Sequence, residues 1–376
     1  MESKKINIQV AAPVLNGNER KYVIDCLNST WISSNGKYIS LFENKFAEYV
    51  GAKHAIAVSN GTVALHAALL GLDITENDEV IMPTLSYIAT ANAVSYCRGK
   101  SIFVDSEELT GNINIKKIEE KITKKTKAIM PVHLYGHPVD IDPLKKLAKK
   151  YRLYIIEDAA EAFGCLYKGK HVGCLGDVGI FSFFGNKNIT TGEGGMIVTN
   201  NSRLAKKIRI LKGQGMDPKK RYWHPIIGYN YRMTNIEAAI GLAQLENAKF
   251  HIENRQRVAK EYDKLLIGME KFINIPVEKA YAHHGYWMYT IILKDTIKIS
   301  RDKLIKKLSE KGIETRPVFY SMHSMPPYFQ GKGKYPVAEN ISANGLNLPT
   351  HAHLKKKEQV YIIDTIIKIV KKNCNI

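Results

Sequence analysis

Lys187 stands between the aromatic run Phe181-Ser182-Phe183-Phe184 and the turn Gly192-Glu193-Gly194-Gly195, in a stretch that is otherwise apolar, small and amide-rich. A lysine amine attacks carbonyl carbons only when its proton can be removed, and partial burial beside other charges favours the neutral form. An isolated lysine in such a place is a candidate nucleophile; the plain alternative is a loop lysine ahead of a turn. Asn60-Gly61-Thr62 follows HAIAV directly and opens GTVALHAALLGL. A small residue, backbone N–H groups at a helix N-terminus and the Thr62 hydroxyl suit a phosphate there, although the same residue types begin ordinary capped helices. Asp158 ends YIIED, with Glu157 beside it and Glu161 three residues on. Alternation sends Glu157 and Asp158 to opposite faces, one toward a ligand and the other into a structural contact. A strand-end carboxylate can hold a protonated ring nitrogen, bind a metal or act as a base; metal is disfavoured because His133 and His171 show no ligand spacing.

The elements that must position these groups are legible from residue 54 onward. Short β-branched runs alternate with helix-length amphipathic segments: HAIAV (54–58), DEVIMP (78–83), SIFVD (101–105), AIMPVH (128–133) and YIIED (154–158). This is the pattern of an α/β domain with a largely parallel sheet, in which ligands collect at the carboxyl ends of the strands. Phe181 to Phe184 and Gly195 to Thr199 read as two further strands around the Lys187 loop, followed by a helix from Ser202 to Lys212. After about residue 250 come a long helix, a strand (287–293), another helix, a Pro-rich irregular stretch and a terminal helix, which read as a smaller α+β domain. The division is therefore 1–250 and 251–376.

Ser182 can place a hydroxyl on the same phosphate, and Tyr87, after DEVIMP, offers a flat face for an aromatic ring. Either can equally be core packing. Phosphate donors, a stacking aromatic, a strand-end aspartate and a loop lysine, all following sheet strands, together describe pyridoxal 5′-phosphate (PLP). The lysine forms the Schiff base and the aspartate keeps the pyridine nitrogen protonated.

At 376 residues and 45% hydrophobic content the chain can bury a large core. Cys26, Cys97, Cys165, Cys174 and Cys374 are odd in number and scattered, which fits a reducing compartment. The N-terminus lacks the apolar core of a signal peptide, and no stretch approaches the ~18 apolar residues of a membrane span. The expectation is a cytoplasmic protein without a membrane partner, whose Asn-x-Thr triplets at Asn60 and Asn188 go unglycosylated. The formal net charge of +19 admits a nucleic-acid surface, an anionic substrate or solvated helix faces. Runs such as Lys145-Lys146 and Lys149-Lys150 are spaced like solvated faces, and no nucleic-acid-binding signature accompanies them. A regulatory or nucleic-acid-binding protein would predict salt-sensitive DNA binding, but it would not require the lysine and aspartate together.

Asn60-Gly61-Thr62, EDAAEA (157–162), FSFFGNKNITTGEGG (181–195) and GYNYRMTN (228–235) resemble the motifs of the DegT/DnrJ/EryC1/StrS sugar aminotransferases. That family has the aspartate-aminotransferase fold, PLP-dependent fold type I: a large mixed-sheet α/β domain and a smaller C-terminal α+β domain. The resemblance runs from NGNERKYV through TWISS to RPVFYSMHSMPPY and GLNLPTHA. It implies that Lys187 is the catalytic residue, linked to PLP and moving the proton between cofactor and substrate carbons. Asp158 matches the partner of the pyridine nitrogen, and Glu161 a carboxylate near the ring hydroxyl. Gly61, Thr62 and Ser182 match the phosphate cradle, and Tyr87 the stacking aromatic. Asn230 matches an asparagine reaching the phosphate from the neighbouring subunit, which requires a homodimer with shared active sites.

Members with histidine in place of Lys187 are dehydratases, so lysine favours transamination, and the scattered cysteines offer no iron-sulfur cluster. In detail the chain resembles members that aminate C4 of GDP-4-keto-6-deoxymannose with L-glutamate for O-antigen lipopolysaccharide. A UDP- or dTDP-linked 4-keto-6-deoxyhexose is the alternative substrate, and a 3-amino product a more distant one. Arg316, Tyr320 and His323 fall in a stretch that borders the nucleotide-sugar site in this family, and an arginine there suits a diphosphate or a carboxylate. Trp31 and His133 are expected as sugar-side contacts; each of these five residues has packing as its alternative.

Overall fold

The computed structural model describes residues 7–373. Its main sheet is built from β1 (His54–Val58), β2 (Glu79–Pro83), β3 (Lys100–Val104), β4 (Thr126–Ile129) and β5 (Tyr154–Asp158). After the short β6 (Leu166–Tyr167) and β7 (Lys170–His171), the chain adds β8 (Val178–Ser182) and β9 (Gly195–Thr199). The seven strands lie in the order β1-β9-β8-β5-β4-β2-β3. β9 runs antiparallel to β1 and β8, and the other pairings are parallel, so the sheet is mixed. Helices α1 (Glu19–Asn28) and α2 (Lys37–Val50) precede β1. α3 (Gly61–Gly71), α4 (Ala89–Tyr96) and α5 (Ile141–Tyr151) link parallel strands, and α6 (Ser202–Lys212) and α7 (Asn235–Glu246) follow β9.

Because successive side chains of a strand point to opposite faces, residue parity decides what each strand presents to each layer. Ile56, Val58, Val80, Met82, Ile156, Val178 and Ile180 pack with α3 and α6. Ala55, Ala57, Ile81, Ile155, Phe181 and Val198 pack with α2, α5 and α7. Asp158 shares parity with Ile156, and Ser182 with Ile180, so both belong to the α3 side. Phe181 and Phe183 flank Ser182 on the other face, where they meet Phe46 at 5.1 and 5.5 Å between ring centres. Burial of each such ring contributes about 1.5–3 kcal/mol, which anchors the root of the Lys187 loop.

The two largest departures from the expected strand boundaries are at β8 and β4. The strand expected from Phe181 to Phe184 begins at Val178, where Gly179 pairs with Glu157. A Cβ on Gly179 would lie 2.0 Å from the Gly173 carbonyl oxygen, so only glycine fits, and glycine masks the strand pattern. The run 128–133 leaves the ladder after Ile129. Pro131 has no N–H to give, although Val132 still bridges Asp158 and the His133 N–H donates to the Asp158 carbonyl at 3.1 Å.

From α8 (Ala248–Leu265) the chain builds an antiparallel four-stranded sheet in the order β10-β12-β14-β13. Its strands are β10 (Ile273–Asn274), β12 (Tyr289–Leu293), β13 (Arg316–Pro317) and β14 (Gly345–Leu348), while β11 (Ala282–His283) turns back to pair with β6. α9 (Arg301–Glu310), α10 (Pro336–Asn344) and α11 (Lys356–Lys372) complete this region. Tyr262, Tyr289, Leu346 and Ile362 share a third apolar cluster with Ile8, which pairs with Ile313. Among the described residues no helix is long and apolar enough to cross a membrane. Cys26, Cys97 and Cys165 are buried free thiols and Cys174 is half-buried; Cys374 lies outside the described residues.

Candidate active site

The loop joining β8 to β9 folds back on its own root. The Phe183 N–H donates to the Gly194 carbonyl at 2.8 Å and the Thr191 N–H to the Phe183 carbonyl at 2.9 Å. Lys187 takes a turn in which its N–H donates to the Phe184 carbonyl at 2.9 Å. Its side chain then runs inward, and Nζ sits 3.5 Å from the centroid of the Trp287 ring. The indole is held by its own N–H, which donates to the Asn186 carbonyl at 2.8 Å, one residue from the lysine it supports. Burial draws the Lys187 ammonium below its ordinary range. The carboxylates of Glu161 and Asp158 oppose this, and Arg255 reinforces it. A buried amine between opposing charges is the environment in which lysine chemistry becomes available.

Asp158 is buried at the carboxyl end of β5. Thr90 of α4 donates its hydroxyl to Oδ2 at 2.8 Å, and the Ala160 N–H donates to Oδ1 at 3.2 Å. Ser86 lies 2.9 Å from the Thr90 hydroxyl and completes a relay behind the carboxylate. Burial raises the Asp158 pKa; the Thr90 and Ala160 bonds and then the Lys187 charge act against that rise. Glu161 is raised by burial too, with Lys187 and the Tyr135 N–H, which donates to Oε2 at 2.7 Å, opposing it. Glu157 turns to the other face as parity requires. It accepts the N–H groups of Gly173, Leu175 and Gly176 at 2.8, 2.6 and 2.6 Å and contacts His133. Burial alone would push this carboxyl up, but the His133 contact and the amides hold it below the usual carboxylate range.

The β1–α3 turn and the end of β8 meet to form a cradle. Asn60 caps α3 by accepting the Val63 N–H at 3.0 Å, which leaves the first-turn amides of Gly61 and Thr62 directed out of the helix end. A Cβ on Gly61 would lie 2.9 Å from Cβ of Ser182, so the glycine brings helix end and hydroxyl together. Convergent amides, a helix N-terminus and a hydroxyl fit a phosphate, while Lys187 and Asp158 fit the aldehyde and the ring nitrogen of PLP. Gly61→Ala should therefore weaken PLP retention about tenfold, equivalent to about 1.4 kcal/mol, in equilibrium dialysis. Combining it with Ser182→Gly should restore thermal stability but not affinity, because the hydroxyl is then missing.

The remaining expected residues divide. Tyr87 is exposed, 5.7 Å from Phe319 in a row of rings that continues through Tyr135 to Trp287. Asn230 is exposed between stacked Tyr229 and Tyr231, and its Oδ1 accepts from Arg232 at 3.2 Å. Trp31 lines an open cavity of about 450 Å³ with Lys37 and Asn235. Arg316 pairs with Glu314 at 3.3 Å, and Tyr320 lies exposed 5.7 Å from the Arg301 guanidinium. His133 and His323 require correction. His133 is 0% exposed: Nδ1 accepts the Val139 N–H at 3.0 Å and Nε2 faces Glu157 at 3.1 Å, on the face of the sheet opposite Asp158. His323 is likewise 0% exposed, with Nδ1 2.7 Å from the Thr84 hydroxyl and Nε2 3.1 Å from Glu339. Both imidazoles spend their nitrogens inside the protein and have none for a sugar.

The sequence reading missed Thr90, Trp287 and Arg255. Thr90 lay in a segment read only as helix and Trp287 in one read only as strand; their roles arise from packing across the chain.

A mixed α/β sheet that gathers a buried lysine, a buried aspartate and a phosphate cradle along one edge defines a PLP-dependent enzyme of the aspartate-aminotransferase type. The chain belongs to the DegT/DnrJ/EryC1/StrS aminotransferase family, whose profile matches residues 13–367. It is 52% identical over 361 residues to the GDP-perosamine synthase of Caulobacter vibrioides, covering 96% of each chain. It is 51% identical to that of Escherichia coli O157:H7, covering 96% of this chain and 97% of the other. Among solved structures, a Streptococcus pneumoniae protein assigned as a sugar aminotransferase, in its PLP form, superposes with a TM-score of 0.93 at 27% identity over 98% of this chain and 100% of that one. The protein is a PLP-dependent aminotransferase.

Proposed function

We propose that this aminotransferase moves the amino group of L-glutamate to C4 of GDP-4-keto-6-deoxymannose, giving GDP-perosamine and 2-oxoglutarate. The observation that carries the reaction type is the buried Lys187 amine, set beside Asp158 and Glu161 on the loop that leaves the cradle residue Ser182. The sugar follows from full-length likeness to GDP-perosamine synthases. PLP, when bound, supplies an electron sink for the pair left on a carbon that loses its proton.

The protein's residues do the rest. Lys187 Nζ holds the cofactor and moves the proton at the reacting carbon. Asp158, its Oδ2 fixed by Thr90, would keep a proton on the pyridine nitrogen, and Glu161 would serve the side of the ring hydroxyl. The Gly61 and Thr62 amides and the Ser182 hydroxyl would hold the phosphate, and the Tyr87 ring would supply a stacking face for the cofactor. Asn230, presented on the outside of its own chain, serves the phosphate of a second copy, so the working unit is a homodimer with shared sites. Trp31, Arg316 and Tyr320 face the sugar nucleotide. Residues 1–250 carry the cofactor groups, and 251–376 form the smaller domain. The product belongs to O-antigen lipopolysaccharide synthesis, and the enzyme works in the cytoplasm on soluble substrates.

The donor half of the reaction is separable. L-Glutamate alone, added to the PLP-loaded protein, should bleach the visible absorbance and release one 2-oxoglutarate per site. An unchanged spectrum at saturating glutamate would remove glutamate as the donor.

A further inference from the structure

Arg255 occupies a position where the sequence pattern calls for an apolar side chain. On α8 the buried stripe runs Ala248, His251, Ile252, Arg255, Val258, Ala259, Tyr262, and Arg255 is 3% exposed in its middle. Burying a guanidinium is costly unless an anion and full hydrogen bonding compensate. Here the hydrogen-bond partners are all carbonyl oxygens. Nη1 donates to Trp287 at 3.0 Å and to Thr350 at 2.6 Å, and Nη2 donates to Lys187 at 3.3 Å. Among the described residues no carboxylate pairs with it. Burial brings the guanidinium down to about 10, so it remains charged at neutral pH.

The three acceptors belong to separate segments: the Lys187 loop, the residue pair ahead of β12, and the turn after β14. Trp287 is therefore fastened to the Lys187 loop twice, through its indole N–H on Asn186 and through Arg255. We propose that Arg255 is a positioning residue for Lys187, its fork tying the Lys187 and Trp287 carbonyls together and so setting Nζ against the Trp287 face. Its positive charge, which no carboxylate among the described residues pairs, acts in the same place against the ammonium form of that amine. This rests on the reading of Lys187 as the reactive amine.

Toward Nζ the charged groups are Glu161 beyond β5 and Asp158 at its end, which favour the ammonium, and Arg255 from α8, which opposes it. Around Arg255 stand His251 on the same helix and His351 after β14. Burial first and then the Arg255 charge bring both down to about 4; His353 acts in the same sense on both, while Glu19 opposes it at His251 and Glu358 at His351. Both imidazoles are thus neutral across the working range and add no titration of their own.

The test compares Arg255→Lys, which keeps the charge and loses the fork, with Arg255→Met, which suits the apolar stripe and loses both; Arg255→Gln replaces the methionine variant if it does not fold. Lys187 reactivity is read against pH by trace acetic-anhydride labelling of the full-length chain freed of PLP, with the Lys187 peptide quantified by mass spectrometry. The pH midpoint of visible absorbance is read in the PLP-loaded protein. Arg255→Met should move both midpoints alkaline by about one pH unit, while Arg255→Lys holds them near the unaltered value and labels more slowly. Lower melting temperatures with unmoved midpoints in the charge-free variant would reduce Arg255 to a structural clip and overturn the proposal. So would an alkaline shift in Arg255→Lys as large as that in the charge-free variant. Failure of the underlying reading shows separately, as absence of PLP from the Lys187 peptide of the unaltered chain after borohydride reduction.

Discussion

Lys187→Ala should lower turnover with glutamate and a keto-sugar nucleotide by at least about 10⁴-fold while leaving the fold and much of the PLP binding in place. The magnitude follows from the position of Nζ. The amine is buried beside Asp158 and Glu161, and on the proposed mechanism its loss removes both the attachment to the cofactor and the group that moves the proton. Binding should survive because the Gly61 and Thr62 amides, the Ser182 hydroxyl and Asp158 are untouched, and the β8–β9 loop closes through backbone bonds of Phe183 and Thr191. Lys187→Arg restores charge without a transferable proton at the same atom, and it should be as inactive as the alanine variant. Single-turnover measurements with PLP in excess separate the loss of chemistry from any loss of cofactor. Turnover within tenfold of the unaltered enzyme would mean that another residue carries the reaction.

Asp158→Asn should cost about 10²–10³-fold in turnover, of the order of removing one preorganised electrostatic partner from a buried site. Asparagine keeps the shape and can still accept from Thr90, but it cannot sustain the charge that holds a proton on the ring nitrogen. The neighbouring change separates function from packing. Glu157→Gln lies one residue away on the opposite face, among three backbone amides and His133. It should lower stability by about 3 kcal/mol while leaving turnover per folded molecule within a few-fold. The sign with pH is fixed by the depressed Glu157 carboxyl. Its contribution is present above the unfolded value near ~4.3 and is lost as the pH falls through the lower folded value, so the two proteins should converge in strong acid. Equal rate losses at Asp158 and Glu157 would contradict the division of the two faces.

Much of this arrangement is local and therefore legible in the residues. Strands such as HAIAV and YIIED carry their own pattern, and the isolation of Lys187 and the strand-end place of Asp158 require no knowledge of the third dimension. Register and distant packing are what sequence order hides. Val132 bridges Asp158 across the sheet, and that register turns His133 toward Glu157 and away from the ligand edge. His323 is drawn inward by Thr84, 239 positions earlier. Trp287 and Arg255 reach Lys187 from regions 100 and 68 residues further along the chain, so no local motif announces them. The strand at Val178 was obscured by Gly179, whose lack of a side chain is what lets the Gly173 carbonyl approach.

The most direct measurement is a full-turnover experiment with ¹⁵N-labelled L-glutamate and paired acceptors, GDP-4-keto-6-deoxymannose and a UDP-linked 4-keto-6-deoxyhexose, read by mass spectrometry and NMR. The predicted result is ¹⁵N at C4 of the GDP-linked sugar, with one 2-oxoglutarate released per amine formed. Transfer to the UDP-linked sugar with none to the GDP-linked one, or label at C3, would contradict it.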